Sequence, residues 1–274
     1  MTRLAYLGPA GTFTEEAALR YRPDAELVPL QTEAAVVAAV ESGDAGEGVL
    51  AIENSLEGSV TRTIDALIHD SRLFIKGELV LPIEHCLIVR PGTKAEEISV
   101  VCAHPQALNQ CRKFIDTRFP GVRQAAAFSN AAAVEQVMSE SGAAAIAGAR
   151  AAALYGAQVL ERGIGDSERN RTRFAVLGPQ DSPPSGRDKT SIAFTVRHDQ
   201  PGTLIGVLHE FSDRAINLTK IESRPSREEL GIYIFLIDLD GHRTDPAVAE
   251  ALAAVKEKSF FFRVLGSYPR SDDA

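Results

Sequence analysis

The sequence predicts an α/β protein with two α/β lobes around a hinge, followed by a smaller module of βαββαβ order. Three observations predict this fold. Short apolar runs alternate with helix-like segments as far as Leu177, which is typical of α/β lobes. The chain leaves the first lobe near Leu73 and returns near Gln158, as expected when two lobes share a hinge. A Pro- and Gly-rich stretch between Gly178 and Arg187 then separates a second series of elements.

The first lobe begins with a strand at 4–7, a glycine turn at 8–12 and a helix at 13–21. This arrangement can turn backbone N–H groups toward an anion, although Thr12 or Thr14 as a helix cap explains the same residues. The turn lacks both G-x-G-x-x-G and a P-loop lysine, which disfavours nucleotide binding. A strand at 26–30, a helix at 32–42 and a strand at 48–52 follow. Glu53, Asn54 and Ser55 come after that strand, either as functional groups or as turn residues.

The second lobe is predicted from strands within 73–89 and at 99–102, 123–128 and 143–147. His104 precedes a proline, which is more typical of a turn than of a catalyst. A helix is predicted after it, because apolar residues follow at helical spacing: Ala107, Leu108, Cys111, Phe114 and Ile115. Ser129 and Asn130 are favoured N-cap types before a helix that runs to about 140, and such an N-terminus is also an anion site.

The chain returns to the first lobe at a polar run, Asn170 to Phe174, which opens an apolar strand at 174–177. Ligands of open α/β folds bind near strand ends. An arginine beside a hydroxyl and an amide offers an anion both a charge and neutral hydrogen bonds. A strand that begins with a surface arginine is the alternative interpretation.

Beyond the linker, the predicted elements are a strand at 190–196, a helix at 203–214, strands at 218–223 and 232–240, a helix at 246–257 and a strand at 260–266. This is the ferredoxin-like order. Packing does not require two of its segments, 201–204 and 222–225, which are therefore candidate ligand sites.

Composition excludes several classes of function. The net charge of the 274 residues is −8, so no basic footprint for nucleic acid is present. The six histidines and three cysteines form no metal-binding spacing. No stretch approaches a membrane span, and the first residues lack the apolar core of a signal peptide. A cytoplasmic protein without a metal is expected.

These segments together resemble the bacterial type of prephenate dehydratase with a C-terminal ACT regulatory domain. The resemblance covers nearly the whole chain and depends on separate motifs in the expected order. The motifs are Gly8-Pro9-Ala10-Gly11-Thr12-Phe13, Ile52-Glu53-Asn54-Ser55, His104-Pro105-Gln106 with Gln110-Cys111, Asn170 with Thr172-Arg173-Phe174, and Glu222-Ser223-Arg224-Pro225.

The resemblance implies a catalytic domain at 1–178 with two lobes like those of a periplasmic binding protein, about 1–78 with 157–178 and about 79–156. It implies a linker at 179–187 and an ACT domain at 188–270. Removal of residues 189–274 should then leave some activity but abolish sensitivity to phenylalanine. The implied partners are prephenate as substrate, L-phenylalanine as effector and further copies of the chain in a homodimer or homotetramer, with no cofactor.

The resemblance also assigns candidate site residues by their match to the motifs. Thr172 matches the threonine regarded as central to catalysis. The candidate catalytic residues are Thr172, Asn54, Gln110 and Glu53. The candidate substrate-binding residues are Arg173, Phe174, Ser55, Thr12, Ser129 and Asn130. The candidate effector-binding residues are Gly202, Thr203, Leu204, Glu222, Ser223, Arg224 and Pro225. Ala103 departs from a frequent serine, Ala51 from a frequent proline, and Thr203 from a usual alanine.

The implied reaction converts prephenate to phenylpyruvate, carbon dioxide and water, and it needs help for a poor leaving group, hydroxide. We expect Thr172 to donate toward that hydroxyl, Glu53 to be the proton source if burial raises its pKa, and Arg173 with the helix after Ser129 to hold the side-chain carboxylate. Phe174 is expected to provide an apolar patch beside the departing carboxylate. An arogenate dehydratase and a non-catalytic aromatic or amino-acid sensor remain as alternatives.

Overall fold

A computed structural model describes residues 2–196, 201–226 and 232–271. The described strands form a six-stranded sheet, a five-stranded sheet and a four-stranded sheet. These correspond to the two predicted lobes and the C-terminal module, so the predicted fold class is confirmed. The parts of the predicted 188–270 domain at 197–200 and 227–231 lie outside the described residues.

The first lobe begins with alternating strands and helices. Its elements are β1 (Arg3–Leu7), α1 (Phe13–Tyr21), β2 (Glu26–Leu30), α2 (Glu33–Glu41), β3 (Glu47–Asn54), β4 (Gly58–Ser59), α3 (Thr61–Asp65), a π-helical turn (Ala66–Asp70) and β5 (Phe74–Pro82). β3 is longer than the sequence predicts, because β4 folds back on its end and pairs with Glu53 and Asn54. These two residues therefore lie inside a strand rather than in a turn after it.

The described residues of the second lobe form five strands and four α-helices. Its elements are β6 (Cys86–Val89), a 3₁₀ turn (Ala95–Glu97), β7 (Val100–Ala103), α4 (Pro105–Gln110), α5 (Arg112–Arg118), β8 (Arg123–Ala126), α6 (Asn130–Ser139), β9 (Ala143–Ala147), α7 (Ala149–Tyr155) and β10 (Gln158–Glu161). The helix expected after His104 is split at Cys111, whose backbone leaves the helical conformation at φ −116° and ψ 18°.

The sheet of the second lobe has the order β10-β6-β9-β7-β8. All five residues of β9, the central strand, are buried. Successive side chains of a strand point to opposite faces, and those of β9 enter two separate cores, with Ala143, Ala145 and Ala147 in one and Ala144 and Ile146 in the other. A sheet covered on both faces explains why this strand is a continuous apolar run.

The chain then returns to the first sheet as β11 (Arg171–Gly178), which gives the order β2-β1-β3-β11-β5 with β4 attached to β3. Residues 174–177 of β11 are buried. Ser55 N donates to Arg171 O at 2.9 Å, so the end of β3 lies beside the beginning of β11. This adjacency brings the motif around Asn54 next to the motif around Thr172.

The C-terminal module has the predicted βαββαβ order. Its elements are β12 (Asp188–Val196), α8 (Thr203–Ser212), β13 (Leu218–Pro225), β14 (Tyr233–Asp240), α9 (Pro246–Lys258) and β15 (Ser259–Pro269). The sheet has the antiparallel order β13-β14-β12-β15, and Val207 and Phe211 of α8 pack with Leu252 and Val255 of α9 in the core.

The chain divides into two compact units, one of residues 1–36, 49–60 and 80–174 and one of residues 37–48, 61–79 and 175–274. The domain boundaries expected from the sequence, 1–178, 179–187 and 188–270, stay a prediction.

Candidate active site

The amide of Asn54 lies at the centre of the candidate site. Its Nδ2 is 2.9 Å from Thr172 Oγ1, 2.8 Å from Asn170 Oδ1 and 3.1 Å from Arg171 O. Asn54, Asn170 and Thr172 are all buried. The structure thus brings two of the predicted catalytic residues, Asn54 and Thr172, into direct contact.

Gln110 joins this group from the second lobe. Asn170 Nδ2 donates to Gln110 Oε1 at 2.9 Å, and Gln110 Nε2 donates to Glu57 Oε1 at 3.2 Å. Glu57 N in turn donates to Asn54 Oδ1 at 3.2 Å. Asn54, Asn170, Gln110 and Glu57 therefore form a closed ring of hydrogen bonds, which we call the amide ring.

The backbone fixes the direction of the bonds in the amide ring. Leu56 N and Glu57 N both donate to Asn54 Oδ1, so Asn54 must direct its NH₂ group toward Asn170 and Thr172. Since an amide nitrogen is only a donor, Thr172 Oγ1 accepts this bond. The hydroxyl proton of Thr172 is not used in it and can be donated to another group.

Glu53 and Arg173, the sequence neighbours of Asn54 and Thr172, form an ion pair. Arg173 Nη2 is 2.9 Å from Glu53 Oε2, and the side chains are 11% and 35% exposed. The carboxylate of Glu53 is thus engaged by a guanidinium rather than held in an apolar pocket. The expected proton source and the expected substrate clamp are partners of each other, and both roles stay predictions.

Three other predicted substrate-binding residues have structural contacts. Thr12 caps α1 by accepting from Glu15 N at 3.3 Å, as the alternative interpretation requires. Ser55 donates to Arg169 O and accepts from Arg171 N, which ties β3 to the chain before β11. Phe174 is 1% exposed and belongs to the core. Their contacts with a substrate stay predictions.

The glycine turn faces a carboxylate of the protein itself. Glu15 Oε2 accepts from Gly11 N at 2.7 Å and from Arg150 Nε at 2.6 Å. Burial opposes the charge on Glu15, but these donors hold its pKa below the ordinary value. The anion site expected at this turn is therefore filled by Glu15, and Arg150 of the second lobe completes it.

At the start of α6, Ser129 caps the helix, whereas Asn130 bonds to the backbone of His104 before α4. Ser129 Oγ accepts from Ala132 N at 3.0 Å, and Asn130 Oδ1 accepts from His104 N at 3.0 Å. His104 Nδ1 accepts from Gln106 N, which agrees with the expectation that His104 stabilises a turn. Substrate binding by Ser129 and Asn130 stays a prediction.

His85 is a site residue that the sequence analysis did not identify, whereas Asn170 was named in a motif but was given no role of its own. His85 is 3% exposed, and its Nε2 is 2.9 Å from Gln110 Oε1. Burial lowers the pKa of His85, and the bond with Gln110 offsets only part of that effect. The available signal was a histidine directly before the apolar strand β6, where a polar side chain needs a partner.

The predicted effector residues lie at two places in the C-terminal module. Gly202, with φ 89°, precedes α8, and Thr203 and Leu204 are half-buried in its first turn. At the end of β13, Glu222 is paired with Lys220, Ser223 and Pro225 are exposed, and Arg224 is buried against Asp65. Effector binding by these seven residues stays a prediction.

Within the described ranges, no three His, Cys, Asp or Glu side chains are grouped as metal ligands would be. None of the helices in that part of the chain combines the length and apolar character that crossing a membrane requires.

Comparison with known proteins identifies relatives over the whole chain. The family model described as "Prephenate dehydratase" matches residues 4–182, and the model described as "ACT domain" matches residues 190–257. The bifunctional chorismate mutase/prephenate dehydratase of Pseudomonas aeruginosa is 42% identical over 271 residues, which are 98% of this chain and 73% of that protein.

Two solved structures are also similar. One is a prephenate dehydratase from Arthrobacter aurescens in complex with L-Phe, with a TM-score of 0.92, 36% identity and coverage of 100% of this chain and 91% of that one. The other is GqqA, described as a novel type of quorum quenching acylase, with a TM-score of 0.88, 34% identity and coverage of 99% of both chains.

Proposed function

Because this chain belongs to the prephenate dehydratase family, we propose that it converts prephenate to phenylpyruvate with loss of carbon dioxide and water. It is thus proposed to be a carbon–oxygen lyase of phenylalanine biosynthesis. The observation that carries the proposal is the hydrogen bond from Asn54 to Thr172. This bond leaves the threonine proton available for a departing hydroxyl.

The reaction depends more on an oriented substrate and a hydrogen-bond donor at the departing hydroxide than on a strong acid. Aromatisation of the ring provides the driving force, while hydroxide is a poor leaving group. An alcohol is too weak an acid to give up its proton outright at neutral pH. Thr172 therefore stabilises the departing hydroxide by a hydrogen bond or relays a proton to it. Asn54 holds the Thr172 oxygen in place, and the amide ring holds Asn54, so the donor is preorganised before the reaction begins.

The ion pair of Glu53 and Arg173 supports a positioning role for Glu53. A carboxylate at 2.9 Å from Arg173 Nη2 orients the guanidinium, and we propose that this guanidinium binds the side-chain carboxylate of the substrate. In this proposal the proton reaches the leaving group through Thr172, and its source is Glu53 or water.

One assay separates the proposed reaction from its rivals. Purified protein is incubated with prephenate and, in parallel, with arogenate, and the products phenylpyruvate and phenylalanine are quantified by chromatography. Turnover of prephenate is expected. Preference for arogenate would assign the related dehydratase, and binding of either compound without turnover would assign a sensor. Turnover of an N-acyl amine alone would favour the activity described for GqqA.

The matched variants Thr172→Val and Thr172→Ser test the role of the hydroxyl. We expect Thr172→Val to lower kcat by about 10² to 10⁴, because the shape is kept and the proton is lost. Thr172→Ser retains a hydroxyl and should keep most of the activity. The free energy of unfolding should fall by about 1 kcal/mol or less in Thr172→Val. Asn54 Nδ2 has three acceptors within 3.1 Å for two hydrogens, so two acceptors remain when the threonine oxygen is removed. Wild-type kcat in Thr172→Val would refute the assignment.

We also propose that L-phenylalanine inhibits this activity through the ACT domain and that the chain acts as a homodimer or homotetramer. The support is the ACT match at 190–257 and a similar structure in complex with L-Phe. The rate with prephenate is measured with and without L-phenylalanine, and the mass in solution by sedimentation under the same conditions. An unchanged rate would refute the inhibition, and a monomer in both conditions would refute the assembly.

A further inference from the structure

We propose that His85 is a positioning residue that fixes the side-chain amide of Gln110 for the reaction. The inference rests on the proposed function, because Gln110 matters only as part of the site that contains Thr172. His85 acts through its Nε2–H group, which donates to Gln110 Oε1. No covalent step and no proton transfer by His85 are involved.

The contacts of Gln110 decide which ring nitrogen of His85 bears the proton. Gln110 Nε2 donates to the carboxylate of Glu57, so its Oε1 faces the other way. That oxygen accepts from Asn170 Nδ2 and lies 2.9 Å from His85 Nε2. An amide oxygen only accepts, and therefore His85 Nε2 is protonated. His85 Nδ1 is buried and has no hydrogen-bond partner among the described residues, so no competing acceptor draws the proton there.

The ring of His85 is itself held in place. Its side chain is almost fully buried, and the ring meets Phe13 edge-on with centroids 5.9 Å apart. Phe13 is confined in turn, because a Cβ at Gly148 would come within 2.9 Å of Phe13 Cε1. The backbone of His85 accepts from Ile164 N at 3.0 Å. A donor held this firmly can set the orientation of a neighbouring amide.

Gln110 needs such a donor because its terminal torsion is broad and roughly two-fold. Two donors on Oε1, from Asn170 and His85, occupy both lone pairs of the oxygen. Rotation of the amide by half a turn would set its NH₂ group against two N–H donors and its oxygen against the Glu57 carboxylate. Without His85, only Asn170 opposes that rotation from this side, so the amide ring loses part of its order.

The test uses two variants of His85 with the full chain. His85→Leu removes the donor at similar size, and His85→Gln places an amide NH₂ near the position of Nε2. We expect His85→Leu to lower kcat about tenfold, the value of one hydrogen bond, with a smaller change in KM. His85→Gln is expected to restore most of kcat. A merely structural role would lower the melting temperature without this difference in kcat between the two variants.

A double-mutant cycle with Gln110→Met shows whether His85 acts through Gln110. The double variant His85→Leu/Gln110→Met should have the kcat of Gln110→Met alone, to within about twofold. Additive losses, or wild-type kcat in His85→Leu, would overturn the proposal.

The tautomer is tested separately by ¹⁵N NMR of the imidazole nitrogens in the wild-type chain near neutral pH. A neutral ring with the proton on Nε2 is expected. A ring with its proton on Nδ1 would overturn the proposal even if all variants lost activity. Absence of prephenate turnover by the wild type would refute the proposed function instead, and the tautomer would still decide the placement of the His85 proton.

Discussion

A buried ion pair in the second compact unit joins β12 to β5. Lys189 Nζ in β12 donates to both carboxylate oxygens of Glu78 in β5, each at 2.9 Å. The two side chains are 6% and 0% exposed. Ser271 N adds a bond to Glu78 Oε1 at 3.1 Å. The perturbation is Lys189→Met, which keeps an unbranched side chain and removes the charge.

The expected loss of stability in Lys189→Met comes from the Glu78 carboxylate, which loses its buried partner. In Lys189→Met, Glu78 stays buried and keeps only the bond from Ser271 N among these three hydrogen bonds. Breaking a buried pair by removing one partner costs about 3–5 kcal/mol. Replacement of both partners, in Lys189→Met/Glu78→Leu, removes the uncompensated charge as well, so the double variant should recover most of that loss.

The assay is denaturant unfolding of the full-length variants, read as the free energy of unfolding. Arg112→Met is the matched control. It breaks the Arg112–Asp116 pair, whose atoms are 3.6 Å apart and whose side chains are 73% and 60% exposed, so it should cost at most about 1 kcal/mol. Two results would refute the reasoning: a loss in Lys189→Met no larger than in the control, or a double variant as unstable as the single one.

Removal of residues 189–274 is expected from the sequence to abolish regulation and leave some activity. The same contacts indicate that this truncation would also lower stability. Removal of 189–274 takes away Lys189 from Glu78 and Arg224 from Asp65. It also removes Arg263, whose guanidinium donates to Ile68 O and Ser71 O. Loss of activity in the truncated chain would then report lost stability as well as lost control. Point variants of the exposed Ser223 separate the two effects better.

Two further predictions concern the site. Asn54→Asp replaces the NH₂ group with an oxygen that can accept the Thr172 proton, so kcat should fall by at least about 10²-fold. Steady-state kinetics measure this change. A near-normal kcat would contradict the direction of the Asn54–Thr172 bond. Because burial keeps the pKa of His85 below its ordinary 6.5, the unfolded chain binds a proton there as pH falls through 6.5 while the folded chain does not. Stability should therefore fall below pH 6.5 until the folded pKa is reached, and His85→Gln should flatten that slope in unfolding measurements at a series of pH values.

The order of elements could be predicted from the sequence because it depends on local patterns. Residues 143–147 are almost all alanine, and such a run without polar residues fits a central strand with both faces covered. The βαββαβ order followed in the same way from alternating apolar runs. The break at Cys111 was missed, because the apolar spacing continues across it and the deviation is a backbone feature.

The site could be predicted only in part, because its contacts join residues far apart in the chain. Asn54 and Thr172 are 118 positions apart, and they meet because β3 and β11 are neighbours in the sheet. Strand order of this kind is not encoded in local periodicity. The motifs therefore named both residues through the family resemblance, while the bond between His85, directly before β6, and Gln110, the last residue of α4, left no signal of comparable strength.

The glycine turn shows how a pattern can predict an anion site without identifying the anion that occupies it. A strand, a glycine turn and a helix do orient an N–H toward an anion, but the anion is Glu15 on the helix that follows. A carboxylate tethered four residues away is present at a high effective concentration, and Arg150 at 2.6 Å adds a charge-assisted bond. A substrate carboxylate would have to displace both contacts and leave Glu15 buried without them. Glu15 therefore joins the turn to α7 through its bonds with Gly11 and Arg150.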